Sequence, residues 1–452
     1  MNSASNLFCL LNRDSIHSRS TSTIPGSTHR QKTTFLRRRP IMNPIHRFAA
    51  PTGDRRRCLR LAAATALLVA GTVATPAAAQ PIKLGLSTAL TGPYSEFGVM
   101  QKNAIEIAIE QVNAKGGVKG RPVQLVLYDD GLVPARAQAN ARRLIEDDKV
   151  TALIAPAGSG PNLAVNPLAV ANNLVMINTV AQTTTINYPD GLDKPPIPNI
   201  FSFSVLNAVE AQVMAEFVGQ RWKKIALMSE STSLGKEQLT LVTQILKDKY
   251  GVTPVAREEY TQQDADMTAQ IARIQQAGAE VIVLVGIGAD GAVIKKGLNR
   301  LGFKGVLIGS QGVQSQPYKE LAGPLVVGSL GILYRAYAEP EKMSPTARAL
   351  ADTYLKKFGN DRFYGPDKHP APYFGILAAA YDAATVLFQA MENASSLQTK
   401  DIIAALESSK AFPAARMDYT FSKSRHHAVT PDMLGVYEYV RDGNNIVMRP
   451  AK

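Results

Sequence analysis

Two hydrophobic rhythms alternate along the chain. Short unbroken runs of Val, Ile and Leu are separated by longer stretches whose apolar residues recur every three or four positions. The first unit is the clearest. A strand at Ile82 to Ser87 leads to a Gly92-Pro93 turn. A helix follows, with Ala104, Ile105, Ala108, Ile109 and Val112 on one face, and Lys115-Gly116-Gly117-Val118-Lys119-Gly120 stops it. A second strand, Val123 to Tyr128, ends in Asp129-Asp130. Such a unit requires parallel pairing with the helix packed across it. Further strands are expected at Ala152 to Ala155, Leu174 to Ile177, Ile200 to Phe203, Lys224 to Met228, Val281 to Val285 and Gly305 to Ile308. Helices are expected near 135–147, 161–172, 207–221, 234–249, 266–277 and 290–301.

Uninterrupted apolar strands are those covered by helices on both faces. The alternation predicts an α/β fold of two doubly wound, Rossmann-like lobes. A fresh series starts at Trp222-Lys223-Lys224-Ile225, so the crossover between lobes is placed at Phe203-Ser204-Val205. Gly328 to Ala336 reads as the return crossover, and Tyr373 to Ala390 as a long helix packed back on the first lobe. The division is 80–204 with 335–434 for lobe 1, and 205–334 with 435–452 for lobe 2. Several strands joining two lobes make a hinge, and a ligand belongs in the cleft between them, at the carboxyl ends of the strands.

Residues 1–79 read as a leader. Arg55-Arg56-Arg57 and Arg60 precede an uncharged apolar run, Leu61 to Val73, and Pro76-Ala77-Ala78-Ala79 supplies a small-residue end. That is the form of a secretory signal peptide cleaved after Ala79. The run is short of the roughly 20 residues a membrane span needs, and none of the remaining chain reads as a span. Met42 is an alternative start, which makes 42–79 a complete leader and 1–41 either a start-site artefact or a polar tail.

The leader changes the meaning of the charge. The whole chain carries +13, but residues 1–79 hold 12 basic and 2 acidic side chains, leaving 38 basic against 35 acidic. The basic excess belongs to the leader, so no nucleic-acid footprint is expected. Cys9 and Cys58 also lie in the leader, which excludes disulfides and thiolate metal sites from the rest. His369, His426 and His427 remain, and the adjacent pair reads as an exposed turn rather than a zinc site. About 370 residues suit two domains.

The candidate chemistry sits after strands. Pro156-Ala157-Gly158-Ser159-Gly160-Pro161-Asn162 leads into a helix, whose free N–H groups and Ser hydroxyl favour an anion. An N-capping serine without a ligand is the plainer reading. Glycines at 157 and 161 would make a hydrolase elbow, but Ala157 and Pro161 stand there. Gly286-Ile287-Gly288-Ala289-Asp290-Gly291 has the form of a dinucleotide fingerprint. The acidic residue about 20 positions on is missing, so it reads as a tight turn and no cofactor is expected.

The opening T-G-P turn, the N-A-K-G-G-V-K-G loop and the strand ending Tyr128-Asp129-Asp130 resemble periplasmic solute-binding proteins of the leucine/isoleucine/valine type. The resemblance extends, more loosely, to about residue 440. It implies a type I periplasmic binding fold, a cleft that captures a small organic carboxylate or amino acid, and delivery by a monomer to a membrane ABC permease. In the family, Ser159 and Gly160 align with the loop that grips the ligand carboxylate. Val180 and Gln182 align with a backbone carbonyl and a threonine hydroxyl that meet the ammonium, the hydroxyl role being lost at Gln182 or shifted to Thr183. Gln311 stands where the amino-acid binders place a glutamate. Losing that carboxylate leaves an ammonium uncompensated, which argues for a solute without an amino group, aromatic or branched. An amino acid held by other groups, such as Asp290, is the alternative. Phe97 aligns with a packing tyrosine, and Tyr373 and Phe374 lie near the same cleft, with core packing the alternative for each. Leu234 and the Ile287-Gly288 turn replace tyrosines, implying a roomier pocket. A sensor of the same fold is a second reading. An exported enzyme is a third, against which no catalytic acid/base pair, nucleophile–histidine set or metal cluster can be assembled.

Overall fold

The computed structural model describes residues 80–359, 374–408 and 411–452. The leader with its two cysteines, and His369 and Tyr373, lie outside the described residues. Two sheets grow from the apolar runs. In the first, β1 (Ile82–Thr88), β2 (Val123–Asp129), β3 (Ala152–Ile154), β4 (Met176–Asn178) and β5 (Ile200–Ser202) pair in parallel in the order β2-β1-β3-β4-β5. In the second, β6 (Ile225–Glu230), β7 (Ala256–Tyr260), β8 (Val281–Val285), β9 (Val306–Gly309) and β10 (Leu330–Tyr334) repeat that order as β7-β6-β8-β9-β10, again in parallel. β11 (Phe412–Pro413) and β12 (Asp418–Tyr419) form a small ribbon. β13 (Leu434–Asp442) and β14 (Asn445–Pro450) extend the second sheet antiparallel beyond β10.

The shared strand order has a consequence for the site. It reverses beside β1 and beside β6, and a crevice opens at the strand carboxyl ends wherever it reverses. Gly117 shows how tightly the connections are set. Its φ is +82°, and a Cβ there would lie 2.0 Å from the Arg121 carbonyl oxygen, so only glycine closes this turn without strain.

Most predicted strands and helices appear within two residues of their expected ends, and three differences have physical causes. β7, Ala-Arg-Glu-Glu-Tyr, alternates half-buried and exposed positions at a sheet edge, so it lacks an unbroken apolar run. β13 alternates likewise, as an antiparallel strand does when only one face is fully covered. The 328–336 stretch, expected as a crossover, contains β10 itself, and the chain leaves the sheet only after Tyr334.

Two expectations need correction. The Phe374–Asn393 helix is, by length and composition, apolar enough to cross a membrane. It is instead a core helix, 89% buried, packed against the Ser95–Ala114 helix with Tyr381 Oη donating to Gln111 Oε1 at 2.6 Å. The histidine pair is not an exposed turn. His426 is 1% exposed, stacks on Phe201 with ring centroids 3.9 Å apart, and contacts Glu407 through Nε2 at 2.9 Å. Phe201 needs a flat partner at the sheet end, which composition does not reveal.

His427 gives a pH prediction. Tyr188 Oη accepts from the His426 N–H at 2.8 Å and hydrogen-bonds His427 Nδ1, also at 2.8 Å. Burial first, then Arg425, holds His427 down to about 4. The unfolded value is about 6.5. Stability from this group is therefore present above pH 6.5 and lost as pH falls through about 4. The loss is expected to be about 2–3 kcal/mol. Denaturant midpoints between pH 7 and 4 should fall less steeply in His427→Gln, and equal slopes would contradict the assignment.

Three segments pass between the sheets, and Arg416 ties them. Its Nη2 donates to the Phe203 carbonyl at 2.6 Å, and its guanidinium lies 4.2 Å over the Tyr334 ring. Tyr334 Oη in turn accepts from the Val205 N–H at 3.0 Å. Asp382, on the core helix, accepts from the N–H groups of Ala415 and Arg416 at 2.7 and 3.0 Å.

Candidate functional site

A cavity of about 700 Å³, open mouth included, lies where the two reversal points face each other. Nearly every lining residue follows a strand's carboxyl end. Phe97 comes after β1, Leu132 after β2, Ala157 to Pro161 after β3, and Val180 to Gln182 after β4. From the second sheet come Leu234, Gln262, Gly286-Ile287 and Gln311-Gly312, after β6, β7, β8 and β9. Ile376 of the core helix completes the wall. Its place at the strand carboxyl ends is where ligands bind in sheets of this kind.

One end of the cavity gathers hydrogen-bond donors. Ser159 opens the Ser159–Ala171 helix, so the N–H groups of Ser159 and Gly160 have no acceptor within the helix. The backbone N–H groups of Gln182 and Thr183 point at Ser159 Oγ over 3.4 Å each. These contacts are long, and a carboxylate oxygen at this place takes the same donors at closer range, together with the Ser159 hydroxyl proton and the helix dipole. The lining also includes apolar surface from Phe97, Leu132, Leu234, Ile287 and Ile376.

Of the residues singled out from the sequence, Phe97, Ser159, Gly160, Val180, Gln182, Leu234 and Gln311 line this one cavity. Thr183 and Gly288 stand outside the lining. Thr183 is buried, contributing its N–H to Ser159. Gly288 faces away, since a Cβ there would lie 2.2 Å from Ser315 Oγ, and Gly286 and Ile287 line the cavity in its place. Phe374 is core rather than cleft, packed on Tyr337 with centroids 5.0 Å apart. The Val180 carbonyl already accepts from Ser204 Oγ at 2.9 Å, leaving one lone pair. Asp129 and Asp130 hold loops: Asp129 accepts from the Leu90 and Gly131 N–H groups, Asp130 from that of Leu132. Leu132 thereby sits at φ +66°, a left-handed conformation that costs a non-glycine residue ~1–2 kcal/mol. It presses its side chain to the cavity. Gln262 escaped the sequence reading because it follows the unrecognised edge strand β7, and Leu132 because a left-handed turn held by Asp130 brings it to the cavity.

Among the described residues the lining carries no charged side chain. Carboxylates stand behind it. Asp290 accepts from Tyr94 Oη at 3.1 and 3.2 Å and from the Gln263 N–H at 3.2 Å, joining the loop after β1 to the helix after β8. Burial raises the Asp290 carboxyl above its ordinary range. On another side of the cavity, Glu237 accepts from the Thr184 N–H at 2.8 Å and from Asn207 Nδ2 at 2.7 Å, and burial raises it likewise. The Tyr94–Asp290 and Thr184–Glu237 contacts span the two sheets' loop layers. Anions are thus drawn to the Ser159 end and disfavoured elsewhere. No cluster of His, Cys, Asp and Glu suited to a metal occurs among the described residues. The three glycines after β8 serve close packing: a Cβ at Gly286 would meet Tyr260 Oη at 2.0 Å, and one at Gly291 would meet Val313 at 2.8 Å.

Comparison with known proteins agrees with this fold. A family profile described as periplasmic binding protein matches residues 81–444. The Leu/Ile/Val-binding protein BraC3 of Rhizobium johnstonii is 26% identical over 363 residues, 80% of this chain and 92% of its own. The leucine-, isoleucine-, valine-, threonine- and alanine-binding protein of Pseudomonas aeruginosa is 26% identical, covering 75% of this chain and 86% of its own. The crystal structure of a type 1 periplasmic binding protein from Bordetella pertussis superposes with a TM-score of 0.79 at 39% identity, over 82% of this chain and all of the other.

Proposed function

Because the chain belongs to the type I periplasmic binding proteins, the family of the Leu/Ile/Val-binding proteins, we propose that it captures a small carboxylate in the cavity between its sheets and delivers it to an ABC permease. On this reading residues 80–204 with 335–434 form one lobe, and 205–334 with 435–452 the other. The leader is removed after Ala79, and the protein works as a monomer in the periplasm. The carrying observation is the convergence of the Ser159 hydroxyl with the N–H groups of Gln182 and Thr183 at one end of a cavity lined without charge. The apolar wall takes an aromatic or branched body. Gln311, an amide, faces the remainder, which favours a solute without an ammonium group over an ordinary amino acid.

Closure follows from the contacts behind the lining. The solute bridges both lobes, and Asp290 and Glu237 latch them through Tyr94 and through the Thr184 N–H. Removing the phenol hydroxyl in Tyr94→Phe takes away a hydrogen bond to a charged group, worth ~1.5–3 kcal/mol. Solute affinity is expected to fall roughly tenfold by calorimetry while the melting temperature of the solute-free protein barely moves. An unchanged affinity would show that the latch is not part of closure.

A thermal-shift screen of amino acids against aromatic and aliphatic carboxylates tests the ligand class, since a solute that binds only the folded state raises the melting temperature. Carboxylates lacking an amino group are expected to stabilise. Strong stabilisation by leucine or valine alone would refute the inference from Gln311.

A further inference from the structure

Behind the cavity lies a wholly buried carboxylate that none of this chemistry uses. Glu210, on the Asn207–Gly219 helix, is 0% exposed and does not line the cavity. One oxygen accepts from the Gln311 backbone N–H at 2.6 Å. The other accepts from Gln238 Nε2 at 2.9 Å and from Gln182 Nε2 at 3.4 Å. Gln182 and Gln311 are two of the three polar side chains besides Ser159 on the cavity wall. A glutamine amide has a donating and an accepting end, and its neighbours decide which end faces where. Burial raises the Glu210 carboxyl, with these three donors pulling the other way, and all three contacts are N–H groups donating to it, so the Gln182 NH2 is drawn inward. The Gln182 carbonyl, Oε1, is then the end left for the cavity, and it accepts from none of the described residues.

We propose that Glu210 is a positioning residue that sets the polarity of the cavity wall: by holding the Gln182 amide and the Gln311 backbone, it makes the wall an acceptor and selects carboxylates that also carry an O–H or N–H donor. This rests on the carboxylate reading and sharpens it to a class, of which 2-hydroxy acids are the simplest members without an ammonium group. A 2-oxo acid of the same skeleton places an acceptor against an acceptor, and a buried pair of that kind leaves both oxygens unsatisfied. Gln238 and Glu210 pack from two different helices, so the device is held from outside the site rather than by the solute.

The test pairs two probes of equal shape, 2-hydroxy-4-methylpentanoate and 2-oxo-4-methylpentanoate, titrated calorimetrically into the protein and its Glu210→Gln variant. Glutamine keeps the volume but also offers a donor, which frees Gln182 to turn. The hydroxy acid is expected to bind roughly tenfold more tightly than the oxo acid, and the ratio to approach one in Glu210→Gln. An unchanged ratio, or an equal weakening of both probes, would overturn the proposal, because a merely structural role loosens both alike. Gln182→Leu, which removes the acceptor itself, should also bring the ratio to one if the glutamate variant does not fold. If neither probe binds, the carboxylate reading fails, and the amide orientation is still decided separately. In protein labelled with 15N-glutamine, the Gln182 side-chain NH2 signal, identified by its loss in Gln182→Leu, should lie downfield and shift in Glu210→Gln. A signal that is neither displaced nor moved would overturn the role assigned to Glu210.

Discussion

Asp382→Ala is expected to destabilise the protein by about 3–5 kcal/mol. The carboxylate is wholly buried, accepts from the Ala415 and Arg416 N–H groups and from Tyr419 Oη at 2.7 Å, and pairs with the Arg416 guanidinium at 3.7 Å. Burial pushes its pKa up to about 6, with Arg416 pulling the other way. Alanine removes the partner of a guanidinium whose side chain is 2% exposed, and leaves that charge without a counterion. The damage spreads because Arg416 also holds Phe203 and lies over Tyr334, which belong to two different segments passing between the sheets. Asp382→Asn keeps an acceptor for one backbone N–H and is expected to lose less. Urea midpoints measure both, and a loss below about 1 kcal/mol in Asp382→Ala would show that the cluster is not what joins the lobes.

The second large effect is on binding. Ser159→Asp places a carboxylate at the first turn of its own helix, beside the Gln182 and Thr183 N–H groups. The variant satisfies the donors the solute would use and repels the solute's charge. Two hydrogen bonds to a charged group, each worth ~1.5–3 kcal/mol, are forfeited, so carboxylate affinity should fall by about 100-fold or more. A negative charge at a helix start is favourable by ~0.3–1 kcal/mol, so the solute-free protein should melt no lower than before. Ser159→Ala, which keeps the backbone donors, should lose roughly tenfold. Equal affinities in the parent and Ser159→Asp would place the solute's charge elsewhere.

Much of this was legible in the residues. Val281 to Val285 is an unbroken apolar run because helices cover both faces of β8, and burial is complete there. The loop at Ser159 was visible because glycine and a helix start after a strand are a local signal. What escaped depends on partners distant in sequence. β7 hides its strand character behind Arg257, Glu258 and Glu259, because only one face of an edge strand needs to be apolar. Gly288 seemed to face the cleft, but Ser315 and Tyr318 occupy the space beside it. Glu210 carried no signal, since it gains meaning only when Gln182, Gln238 and Gln311 close around it. His426 looked exposed beside charged Arg425, and its burial under Phe201 is a packing fact.

The charge-free cavity with its four backbone donors and one hydroxyl is the centre of the account, and an acid–amide pair tests it most directly. Calorimetric titration should compare a carboxylate that stabilises the protein with its own primary amide, identical in shape but without the negative charge. Tight binding of the acid and at least a 100-fold weaker amide is the expected result. Equal binding of the two would contradict it.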